Sequence, residues 1–141
     1  MWEFSVPIII AGLEEVARTI GRVMAEELKR KPIEKDLERL YNNIKFYYQK
    51  TRQLLREKDN AEELAKTIEE DDLFFMYVTN EKAEKIVEAL KAVAILSDKN
   101  IVHIERRKGV KYTLKQARYD KRKVVFWILK CLEAAKNISI K

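Results

Sequence analysis

Apolar residues recur along most of this chain at helical spacing, and that periodicity constrains the fold more than any other feature. Ile9, Leu13, Val16, Ile20, Val23 and Leu28 follow one another at three-, four- and five-residue steps until Pro32 interrupts them. Such a stripe predicts an amphipathic helix, with Pro7 suited to a first turn where no backbone N–H is needed. Ile33, Leu37, Leu40, Tyr41, Ile44, Tyr48 and Leu55 mark a second helix of roughly 25 residues, about 37 Å long. Asn60 and Glu63 have the spacing of a capping box, and Leu64 and Ile68 continue a short third helix from it.

The acidic run Glu69, Glu70, Asp71, Asp72 is unfavourable at a helix C-terminus and favourable at the start of the next helix, so a boundary is expected near Asp71. Periodicity leaves Leu73 to Val78 open between a helical turn and a buried strand, and we expect helix. Thr79 or Asn80 can cap a further helix carrying Ala83, Ile86, Val87, Leu90, Val93 and Ala94 on one side, ending at Ser97 to Asn100.

The period then changes. Val102 and Ile104 alternate with His103 and Glu105, and Val110, Tyr112 and Leu114 alternate with Lys111 and Thr113. A loop of Arg107, Lys108 and Gly109 would pair these segments as a β-hairpin over about 100–115, with an apolar face and a basic tip. A last helix from about Lys115 to Lys136 presents Ala117, Val124, Ile128, Cys131 and Ala135 inward, with Trp127 at its flank. The expected fold is mainly α: a single domain over 1–141, built as a bundle of four to six helices with one β-hairpin insertion before the C-terminal helix.

Composition supports this class. The chain has 141 residues, 47% of them hydrophobic, too apolar for a disordered chain, and three Gly and two Pro are too few for a many-stranded sandwich. The apolar run Val6 to Leu13 falls short of the about 20 residues that a membrane span needs, so no membrane partner is expected. The single cysteine, Cys131, forbids an intramolecular disulfide and fits a cytoplasmic protein. Abundant Lys, Glu and Arg beside three Gln suggest a thermophilic source.

Catalytic raw material is scarce. His103 is the only histidine, which leaves nothing for a Ser-His-Asp arrangement or a Cys/His zinc site, and Gly12, Gly21 and Gly109 form no phosphate loop. Cys131 sits on an inward stripe, as a small buried hydrophobe rather than a nucleophile. Asp71 or Asp72 could ligate Mg²⁺ in a nuclease, though capping explains that run more simply. No enzyme activity and no cofactor are expected.

Charge is distributed unevenly. Residues 1–32 carry five acidic and five basic groups, 33–58 four and seven, 59–98 eleven and four, and 99–141 three and thirteen, giving balances of 0, +3, −7 and +10 within a total of +6. Lys45, Gln49, Arg52 and Arg56 fall at steps of four, three and four, hence on one helix face, with Phe46, Tyr47 and Tyr48 beside them as candidates to stack on bases. At the basic end, Arg106, Arg107, Lys108 and Lys111 crowd the hairpin, and Lys115, Arg118 and Arg122 crowd the start of the last helix. Closely spaced cations of this kind suit a phosphate backbone; alternatively they pair with the acidic middle, within one chain or between two.

The size, the helical core with basic faces, and a β segment from Asn100 to Leu114 before a closing helix resemble the small-subunit family of archaeal CRISPR-Cas effector complexes. That resemblance implies a subunit without catalysis, several copies of which stack along a guide RNA or single-stranded DNA and hold its backbone. It makes Lys45, Arg52, Arg56 and the tip Arg106 to Lys108 the contact candidates. The expected function is therefore nucleic-acid binding within a ribonucleoprotein assembly. The alternative is a homodimeric helical adaptor of archaeal virus or plasmid origin, in which the basic end of one copy meets the acidic middle of the other.

Overall fold

A computed structural model of the protein describes residues 6–28, 33–56, 60–97 and 113–137. They form α1 (Val6–Leu28), α2 (Glu34–Gln53), α3 (Asn60–Glu69), α4 (Asp72–Tyr77), α5 (Asn80–Leu96) and α6 (Leu114–Lys136). All six helices contribute to one apolar core, in which Phe74 is fully buried. Among the described residues no helix is long and apolar enough to cross a membrane.

In α1 the buried positions are Ala17, Ile20, Met24 and Leu28, while Leu13 and Val23 are only half-buried. The inward stripe is therefore rotated from the one that the largest residues mark. Small residues explain the rotation, because Ala17 and Gly21 let α6 come close: a Cβ added to Gly21 would lie 3.5 Å from Cys131 Sγ. The two helices run parallel, since Glu14 meets Lys123, Arg18 meets Trp127 and Gly21 meets Cys131 in the same order.

Helix α2 buries Leu40, Ile44, Tyr47 and Thr51, with Glu34 and Asp36 favourably placed at the positive end of its dipole. It spans 20 residues, shorter than its apolar pattern suggests. The N–H groups of Leu54, Leu55 and Arg56 bond to the carbonyls of Thr51, Arg52 and Gln53, three residues back, so the chain ends in a tightened turn. That turn buries Leu54 and leaves Leu55 and Arg56 exposed.

Asp71 stands at the expected boundary. Its Oδ1 accepts from the Phe74 N–H at 3.1 Å and caps α4, and its Oδ2 accepts from the Tyr47 hydroxyl and from Asn43 Nδ2 at 3.2 Å. Tyr77, at the other end of α4, donates to Asp36 at 2.9 Å, so α4 runs antiparallel along α2. Leu73 and Phe74 are buried here in a helix, as expected, and Thr79 is the N-cap position of α5.

The β-hairpin insertion needs correction. The described residues are helical and include no strand; Thr113 and Leu114, expected to close the second strand, are instead the N-cap and first residue of α6. The Thr113 hydroxyl accepts from the Gln116 N–H at 3.1 Å, and a side chain that satisfies a helix N-terminus competes with a strand ladder. The rest of the expected hairpin, including Arg106, Arg107, Lys108, Lys111 and His103, lies outside the described residues. Helix α6 itself buries Ala117, Val124, Ile128, Cys131 and Ala135, the expected stripe, together with Asp120, Val125 and Leu132.

Candidate nucleic-acid interface

Helices α2 and α6 pack antiparallel. Leu40 and Ile44 of α2 meet Ala135 near the end of α6, while at the opposite end Leu55 and Arg56 face the first turns of α6. There an open cleft of about 610 Å³ lies between them. Leu55 and Arg56 form one wall; Lys115, Arg118, Tyr119, Lys121 and Arg122 form the other. A smaller hollow of about 270 Å³ shares Leu55 and Arg56 and extends along α2 to Gln49, Arg52 and Gln53.

The structure thus unites two sets of cations that the sequence places about sixty residues apart. Lys115, Arg118 and Arg122 share a face because they fall at steps of three and four, and the tightened turn after α2 delivers Arg56 to them. Lys45 is exposed on α2 but does not line either hollow.

What sets Arg56, Lys115, Arg118 and Arg122 apart from other surface cations is that they converge on one cleft. Among the described residues, Lys45, Arg52, Arg56, Lys115, Arg118 and Arg122 form no ion pair, whereas Lys121 is already engaged. Within the acidic middle, Glu69 pairs with Lys91 at 3.4 Å and Glu81 with Lys85 at 3.7 Å. Lys82 and Lys123 are taken by Glu27 and Glu14 of α1. Moreover, the first turn of α6 contains no acidic residue, so Lys115 sits at the positive end of the helix dipole, each such charge costing about 0.3–1 kcal/mol.

The aromatic residues expected to stack on bases are placed otherwise. Tyr47 is buried, edge-to-face with Phe74 at 5.9 Å, and donates to Asp71; burial and that carboxylate push its hydroxyl well above the usual tyrosine range. Tyr48 is half-buried with the Lys136 ammonium 4.4 Å from its ring centre, and Phe46, though exposed, lines a separate small hollow between α2 and α3. The aromatic ring at the basic cleft is Tyr119, 62% exposed. The charge pattern overlooked it, although its place opposite the buried stripe of α6 was readable.

Asp71, a candidate metal ligand, spends both carboxylate oxygens on capping and on the Tyr47 and Asn43 bonds, and the described residues contain no group of three His, Cys, Asp or Glu able to hold a metal. Cys131 is buried, and desolvation pushes its thiol up to about 12. No protein-family model, curated protein or solved structure matches this chain.

Proposed function

We propose that this protein is a non-catalytic nucleic-acid-binding subunit that holds a phosphate backbone in the cleft between the end of α2 and the first half of α6. One observation carries the proposal: Arg56, Lys115, Arg118 and Arg122, from two distant stretches of chain, open onto one cleft with no counter-charge among the described residues. Like charges gathered without partners favour a polyanionic ligand, and arginine forks suit phosphate oxygens. Contacts of this kind position a backbone without reading sequence. The resemblance to CRISPR-Cas small subunits supplies the finer proposal, a place in a ribonucleoprotein assembly, but its β segment finds no counterpart among the described residues.

Fluorescence anisotropy with labelled RNA and DNA oligonucleotides tests the binding. Neutralising four phosphates should make log affinity fall by about 3 to 4 per unit of log salt. A salt-insensitive affinity, or no binding at low salt, would overturn it.

The adaptor alternative keeps one observation in its favour. Glu62, Glu63, Glu84 and Glu88 of α3 and α5 are exposed, and a second copy could set its basic cleft against them. Sedimentation without nucleic acid separates the two, since only the adaptor requires salt-sensitive self-association.

A further inference from the structure

We infer that the outer face of α6 is a track for single-stranded nucleic acid, on which Tyr119 and Phe126 stack unpaired bases between Lys115, Arg122 and Lys130. The inference rests on the phosphate-binding proposal and adds the ligand's class. Lys115, Tyr119, Arg122, Phe126 and Lys130 recur at steps of four, three, four and four, which places them on one helix face. That face lies opposite the buried residues Ala117, Val124, Ile128 and Cys131, so it points into solvent. Cation and aromatic alternate along it.

The rings have little to gain from the fold. Phe126 is 49% exposed and Tyr119 more so. Phe126 rests edge-on against Trp127, with centroids 5.4 Å apart at 80°, and Trp127 is itself held under the Arg18 guanidinium at 5.2 Å. This support orients the Phe126 ring without covering it. The Lys130 ammonium lies 5.3 Å from the Phe126 centroid, an exposed contact that a base can displace or leave in place by using the other ring face. Tyr119 adjoins the phosphate-binding cations directly, because it lines the same cleft.

Spacing favours a single strand. Seven residues of helix separate the two rings by about 10.5 Å along the axis, about three times the 3.4 Å rise per nucleotide of a stacked strand. One strand can therefore offer a base to each ring if it is stretched or skips bases between them. In a duplex the bases are paired and their faces are covered, so the rings have nothing to stack on. Glu133, the next exposed residue on this face, ends the run of cations.

The test compares a labelled 20-nucleotide single strand with its duplex, against the full chain and two double variants, Tyr119→Ala with Phe126→Ala and Tyr119→Leu with Phe126→Leu. Stacking contributes about tenfold per base, so the single strand should bind at least about tenfold tighter than the duplex. Both double variants should lose up to about a hundredfold for the single strand, and Phe126→Ala alone, whose ring lies outside the cleft, should lose about tenfold for the single strand while keeping duplex affinity and salt dependence. Tyr119→Phe should retain binding. Equal affinity for single strand and duplex, or leucine and alanine variants within twofold of the parent, would overturn the track and leave phosphate binding standing. Absence of any nucleic-acid binding would overturn both. Loss of self-association in the variants without loss of affinity would make the face a contact between copies, and the inference would fall.

Discussion

The Sγ of Cys131 donates a hydrogen bond to the backbone carbonyl of Ala17 at 3.0 Å, joining α6 to α1. The thiol is buried there and must stay neutral in the folded protein, its pKa pushed up to about 12 from an ordinary 9. The unfolded chain releases this proton first. The thiol's contribution to stability is therefore fully present below about pH 9 and falls by up to about 1.4 kcal/mol per pH unit as pH rises toward 12. Denaturant titrations between pH 8 and 11 should show a shallower decline for Cys131→Ala than for the parent. Thiol reagents should label the native protein only as fast as it opens.

Gly21→Ala should stabilise the protein by about 0.5–1 kcal/mol, because glycine inside a helix forfeits backbone entropy. The added Cβ would sit 3.5 Å from Cys131 Sγ, an ordinary van der Waals contact, so the α1–α6 spacing is kept. A melting temperature raised by about 2–4 °C would register the gain; a lowered one would show that α1 and α6 are closer than this geometry.

Asp71→Ala removes the acceptor for the Phe74 N–H and leaves the buried Tyr47 hydroxyl without its partner. Losing the cap costs about 1 kcal/mol and an unsatisfied buried hydroxyl about 1–3 kcal/mol, so chemical denaturation should report a loss of about 2–4 kcal/mol. Adding Tyr47→Phe should recover part of it. Asp72→Ala, at an exposed neighbour, should change stability by less than about 0.5 kcal/mol.

Lys115→Glu should move stability and binding in opposite directions. An acid in the first turn of α6 complements the dipole and meets Arg118 and Tyr119 one turn on, for a gain of about 0.5–1 kcal/mol. The same change removes one cation from the cleft and puts an anion in its place. Thermal melts should rise, while anisotropy titrations weaken and lose about one unit of salt slope. A melting temperature that falls with affinity would mean that Lys115 is a structural residue.

Local regularity made much of the fold readable in the sequence alone. A period of 3.6 set the helices on either side of Pro32, the acidic run at Glu69–Asp72 marked the start of α4, and the stripe Ala117, Val124, Ile128, Cys131, Ala135 faced inward as its spacing required. These features depend only on neighbours within a turn or two. So did the basic face of α2 and the cations at the start of α6.

Only the tertiary structure decided how those pieces meet. The inward stripe of α1 turned toward Ala17 and Gly21 because close approach to Cys131 rewards small residues, which a hydrophobicity pattern undervalues. Leu114 joined a helix because Thr113 caps it, and alternation over a few residues cannot outweigh a satisfied N-terminus. The convergence of Arg56 with Lys115, Arg118 and Arg122 depends on α2 and α6 lying antiparallel and on α2 ending in a tightened turn. Neither condition leaves a local mark, because long-range packing fixes the relative rotation and offset of two helices, and every residue between them contributes to it.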